Sequence, residues 1–144
     1  MNNNQPITKE QFEKRLVNLC LRSGLTAFPK DDTDQQILLK SAVILIGDSS
    51  QFSEKEINEK LEVWISQVCV IKNFDRVTLR RWLVDTGYLI RTSDGSRYQV
   101  VMSGGRSGFF DGSIDQIDIL ELLKTAREEM ALRKKAYLEK NKGA

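Results

Sequence analysis

At four of its candidate helix starts this chain carries a Ser or Thr followed three positions later by Glu or Gln, and that spacing constrains the fold more than any other feature. The pairs are Thr8 with Gln11, Thr33 with Gln36, Ser53 with Glu56, and Ser113 with Gln116. Each reads as a capping box, in which a hydroxyl accepts from the N3 amide and the N3 side chain reaches back to the cap. Hydrophobic staples of Ile7 with Phe12 and Phe52 with Ile57 support two of them. Asp75, stapled by Phe74 with Leu79, marks a fifth start.

Periodicity fills in the helices. The first is predicted over about 8–23, with Phe12, Leu16, Leu19 and Cys20 on one face and Gly24 as its stop. The second, over about 33–46, is apolar almost all round from Ile37 to Ile46, the mark of a central buried helix. Ile57, Leu61, Trp64, Ile65 and Val68 share one face of the third. The fourth runs from Asp75 to about Thr86, with Gly87 suited to a left-handed C-terminal cap.

Tyr88–Thr92 and Arg97–Val101 then read as two strands around Asp94-Gly95, a strong hairpin signal. A glycine-rich connector, 103–112, precedes a last helix over about 113–141. Phe109 and Phe110 are expected to anchor that helix, whose basic end (Arg133, Lys134, Lys135, Lys140, Lys142) should project into solvent. The expected fold is mainly α with one β-hairpin: a winged helix-turn-helix-like core over 28–101, a helical extension over 1–27, and a connector and C-terminal helix over 102–144.

The chemistry excluded is as informative. Histidine is absent, which removes the commonest general base and the Ser-His and Cys-His nucleophile pairs. The 2 cysteines, Cys20 and Cys69, cannot supply four ordinary zinc ligands without histidine. Each sits in an apolar helical pattern and reads as a small buried hydrophobe, not a disulfide partner. No catalytic residue, metal site or cofactor is therefore expected, and no enzymatic turnover. Apolar stretches fall short of the roughly 18 residues needed to span a membrane. The N-terminus lacks the basic start and apolar run of a signal peptide, so a cytoplasmic location is the expectation. The stretch 103–108 has the glycines of a phosphate cradle but not the Gly-Lys-Ser/Thr ending, and reads as a connector.

Net charge is +2, but residues 1–71 hold 8 basic and 10 acidic side chains against 14 and 10 over 72–144. An anionic partner should meet the second half. A helix followed directly by a hairpin is the usual DNA-reading pair of a winged helix, with the helix in the major groove. Lys72, Arg76, Thr78, Arg80 and Arg81 precede or sit on that helix, and Arg91 and Arg97 sit on the hairpin. Arginine suits guanine edges and phosphates alike. These seven are the candidate contacts to double-stranded DNA. A second reading stays open, because Val77, Arg81 and Val84 share the outer face of the helix and suit a protein partner equally. The apolar residues of the terminal helices further suggest a homodimer.

Three segments also carry a resemblance. They are Phe28-Pro29-Lys30, then Phe52-Ser53-Glu54-Lys55-Glu56-Ile57-Asn58. The third runs from Asp75 through Leu79-Arg80-Arg81-Trp82-Leu83-Val84-Asp85 to Gly87, Leu89, Arg91, Asp94-Gly95-Ser96 and Tyr98. Together they resemble the bacterial domain-of-unknown-function family two-thousand-eighty-seven over residues 28–98. Its members occur alone or beside transcription-regulator helix-turn-helix domains. The resemblance implies a winged-helix-like fold and a regulatory role, with no established activity, ligand or catalytic residue.

Overall fold

A computed structural model describes residues 5–48 and 51–142; the first part of the polar N-terminus and the side chain of Lys142 lie outside the described residues. Helix α1 (Lys9–Val17) starts at the Thr8–Gln11 capping box, with both reciprocal hydrogen bonds made. It does not stop at Val17 but widens into a π-helical turn, Asn18–Arg22, closed by the Ser23 amide donating to the Asn18 carbonyl at 2.9 Å. Gly24 then takes a φ of +58°.

Helix α2 (Asp32–Ile46) is the central element, with Leu38, Leu39, Ala42 and Val43 fully buried. Its start corrects the sequence reading. Asp31 is the cap, its carboxylate accepting from the Asp34 amide at 3.0 Å, and Thr33–Gln36 is not a capping box. Asp caps at least as well as Thr, and Gln36 is needed elsewhere: it lies inside the core, where its Oε1 accepts from the Tyr88 hydroxyl at 2.7 Å.

Helix α3 (Glu54–Val63) begins at the expected Ser53–Glu56 box and also ends in a π-helical turn, Trp64–Val68. Trp64 is fully buried, and its indole donates to the Ser41 hydroxyl at 2.9 Å. Helix α4 (Arg76–Asp85) is capped by Asp75, whose carboxylate accepts from both the amide and the hydroxyl of Thr78. Gly87, at φ +85°, turns the chain directly into the hairpin.

The hairpin pairs β2 (Leu89–Arg91) with β3 (Arg97–Val100), Leu89 opposite Val100. The Asp94 carboxylate accepts from the Ser96 amide and from the Thr92 and Ser96 hydroxyls, which pushes its pKa down to about 2. A strand absent from the sequence reading, β1 (Phe52–Ser53), adds to β3 with Phe52 opposite Tyr98, so the antiparallel sheet has the order β1-β3-β2. Two residues are too few to show alternation, and the same two residues are the staple and cap of α3.

The last helix also departs from expectation. Ser113 bonds to Asp111, residues Gly112–Gln116 form a 3₁₀ turn, and α5 (Ile119–Lys142) starts later, where the Asp118 carboxylate accepts from the Glu121 amide. Ile114, Ile117, Ile119 and Leu123 complete the same core that receives Phe12 and Leu16 of α1. Phe110 meets Phe12 edge-on at 5.7 Å between ring centroids, while Ile7 bridges to Phe110. Residues 131–141 of α5 are exposed throughout. Among the described residues, no helix is long and apolar enough to cross a membrane.

Candidate nucleic-acid interface

The seven candidate residues lie along α4, the turn before it and the hairpin after it, but they are not equally free. Lys72 is exposed in the turn, next to Asn73, which takes a left-handed φ of +59°. Arg76 is exposed at the first position of α4, 3.6 Å from the Glu62 carboxylate of α3. The Thr78 side chain is already committed to Asp75 and acts in the cap.

Arg80 turns inward. Its Nη1 donates to Asn58 Oδ1 at 2.6 Å and lies 3.6 Å from Glu54, and its guanidinium sits 5.9 Å from the centre of the Tyr98 ring. It therefore straps α4 to α3 and to the sheet. Asn58, one turn along from the Ser53 cap, is the residue the sequence reading missed; the i, i+4 spacing from Glu54 to Asn58 was its only signal.

Arg81 is exposed and makes no ion pair or side-chain hydrogen bond among the described residues. It stands between Val77 and Val84, which are 46% and 37% exposed, so the outer face of α4 is cationic at its middle and apolar at its flanks. On the hairpin, Arg91 and Arg97 both reach solvent. Arg91 is steadied by the Tyr98 ring, 6.0 Å from its centre, and by a hydrogen bond from Nε to the Gly95 carbonyl. Ile90, opposite Gln99 in the ladder, is 53% exposed and adds an apolar side chain to the sheet surface.

A family model described as "Uncharacterized protein conserved in bacteria (DUF2087)" matches residues 24–100. The chain belongs to this family. No curated protein and no solved structure matches it.

The DUF2087 region contains all seven candidates, together with Asn58 and the whole sheet. Helix α1, the glycine-rich connector and α5 fall outside it. The face of α3 beside α4 is acidic: Glu54, Glu59 and Glu62 line the groove between the two helices with Lys55, Asn58 and Arg76. The outer face of α4 and the hairpin carry the exposed Arg81, Arg91 and Arg97. Among the described residues, no group of three or more His, Cys, Asp or Glu side chains could hold a metal ion.

Proposed function

We propose that this chain is a DNA-binding transcriptional regulator, or a regulatory accessory module, of winged-helix type. One observation carries the reading: the run α2-β1-α3-α4-β2-β3 closes a sheet of order β1-β3-β2, with the cation-bearing α4 leading directly into the hairpin. In that arrangement α4 enters the major groove and the hairpin lies on phosphates. Arg81 is the base-reading candidate because it is central and has no ion pair among the described residues; Lys72, Arg91 and Arg97 are phosphate contacts. The reading assigns no catalysis and no cofactor.

Filter binding at two salt concentrations tests it. Affinity should fall steeply with salt, because each phosphate contact releases counterions. Arg81→Ala should cost about 1–3 kcal/mol of specific binding, and Arg97→Ala should lower the salt slope by about one contact. Arg80→Ala should act on stability instead, through the lost contact with Asn58. Affinity that ignores salt and both substitutions would defeat the reading.

The exposure of Val77, Val84 and Ile90 favours a second reading, a protein-docking face centred on Val77, Arg81 and Val84. It predicts weak salt dependence and loss of partner binding on Val77→Asp.

Dimerisation through the terminal helices belongs to the first reading, since a single unit reads one short half-site. The first half of α5 spends its apolar residues on the core, so Leu132, Tyr137 and Leu138 of the projecting half are the available contacts. Light scattering should give twice the chain mass at micromolar concentration; a mass near 16.5 kDa would rule the dimer out.

A further inference from the structure

Helix α5 changes character along its length. Its first half forms one wall of an open groove of about 820 Å3, and α1 forms the other. Its second half, residues 131–141, projects with every residue exposed, about 16 Å of helix at 1.5 Å per residue. That half carries four basic side chains against one acidic, and it leaves Leu132 and Tyr137 in solvent. The groove is complementary to it. Val17, Leu122 and Ala126 give it an apolar lining. Arg15 is committed to Asp34 at 2.8 Å, and the remaining charged lining has three carboxylates, Glu10, Glu13 and Glu129, against Lys14 and Arg22. A continuous helix cannot fold back into a groove that its own first half forms. If α5 fills the groove, the α5 that does so belongs to a second copy.

We propose that the projecting half of α5 from one copy lies antiparallel in the α1–α5 groove of another, and that two copies do so reciprocally. The proposal rests on the two-copy reading above for the number of chains, and not on DNA binding. Helical spacing fixes the register. Leu122, Ala126 and Glu129 line the groove, and the same alternation of 4 and 3 continues through Arg133, Ala136 and Lys140. The set is symmetric about position 131, so a two-fold axis there sets each member against another. Glu129 meets the partner's Arg133, Ala126 meets the partner's Ala136, and Leu122 meets the apolar stem of the partner's Lys140. Each contact occurs twice. Within one chain Glu129 and Arg133 already lie 4.0 Å apart, a weak exposed pair; two copies gather four alternating charges around the axis. Leu132 flanks this face beside the axis. Leu138 lies on the opposite side of the helix and stays outside the contact.

The test uses the full chain. Ala126→Cys and Ala136→Cys are purified separately, mixed, left to exchange and oxidised, with the natural chain oxidised in parallel as the background for Cys20 and Cys69. The mixture should give a covalent dimer linked between positions 126 and 136. Neither variant alone should give one, because like positions sit about 15 Å apart along the helices. By sedimentation equilibrium, Glu129→Arg should raise the dimer dissociation constant at least about tenfold, since it sets like charges opposite at two places. Adding Arg133→Glu should restore it, and Leu138→Glu should leave it unchanged. A mass near 16.5 kDa throughout would overturn this inference together with the dimer. A dimer that gives no link between 126 and 136, that ignores Glu129→Arg, or that is broken by Leu138→Glu would overturn the antiparallel seat alone, leaving dimerisation and DNA binding standing.

Discussion

Replacing Trp64 with alanine is expected to destabilise the fold by about 3–5 kcal/mol, the range for removing a large buried aromatic. Three features put Trp64 in that range. It is fully buried, so the substitution opens a cavity at the centre of the core. Its indole N–H supplies the hydrogen bond to Ser41 Oγ, whose own proton goes to the Leu38 carbonyl. It also begins a chain of rings: Trp64 meets Phe74 edge-on at 6.4 Å, Phe74 stacks on Phe28 at 4.9 Å, and Phe28 lies 4.8 Å from Trp82. That chain ties α3 to the turn before α4 and to α4 itself. Trp64→Phe keeps most of the apolar volume and should cost less, about 1–3 kcal/mol, much of it the unpaired Ser41 acceptor. Urea unfolding checks both, with Trp82 left as the sole tryptophan reporter. A loss under about 1 kcal/mol for Trp64→Ala would mean the core is not organised around this residue.

The same residues show how far the sequence could be read. Starts dictated by local chemistry were legible: Thr8, Ser53 and Asp75 cap α1, α3 and α4 as their spacing implies. The Asp94-Gly95 hairpin likewise follows from turn chemistry alone. The two capping boxes that failed did so for different reasons. Asp31 takes the cap of α2 from Thr33, a weaker cap, whereas Ser113 falls inside a 3₁₀ turn and α5 begins only after the chain extends at Ile117, with Asp118 accepting from the Glu121 amide.

What stayed hidden was set by partners distant in sequence. Gln36 looks like a cap residue until Tyr88 arrives from 52 positions away. The strand Phe52–Ser53 exists only because β3 lies beside it. At the candidate interface, the exposure of Arg81, Val77 and Val84 followed from helical spacing. The division of labour among the arginines did not, because an Arg on the flank of a helix goes to solvent or to a neighbour according to what that neighbour presents. Asn58 and Glu54 decide it for Arg80.

Gly104→Ala is expected to cost about 2–5 kcal/mol, a large effect for one methyl group. Gly104 holds a φ of +58°, and a Cβ there would sit 2.8 Å from Cζ of Tyr88 and 2.9 Å from Cε1. The ring has nowhere to go. It is fully buried, its hydroxyl is held by Gln36 at 2.7 Å, and its backbone carbonyl accepts from the Val101 amide at 2.9 Å. Nor can the loop lift away freely, because Arg106 clamps it to Asp32 at the start of α2 with hydrogen bonds of 2.5 and 3.2 Å. The connector that reads as a flexible glycine-rich stretch is thus packed on the first residue of the hairpin segment. Gly108 separates the two contributions. It has a φ of +82° but open space where its Cβ would go, so Gly108→Ala should cost only the backbone strain, about 1–2 kcal/mol. Gly112, with a φ outside the left-handed region and nothing within 4 Å of its Cβ, should tolerate alanine without measurable loss. Urea midpoints for the three variants should therefore fall in the order Gly112, Gly108, Gly104, the last lowest. Equal losses at Gly104 and Gly108 would show that the Tyr88 ring yields to the added methyl, and that the connector rests on the hairpin without bracing it.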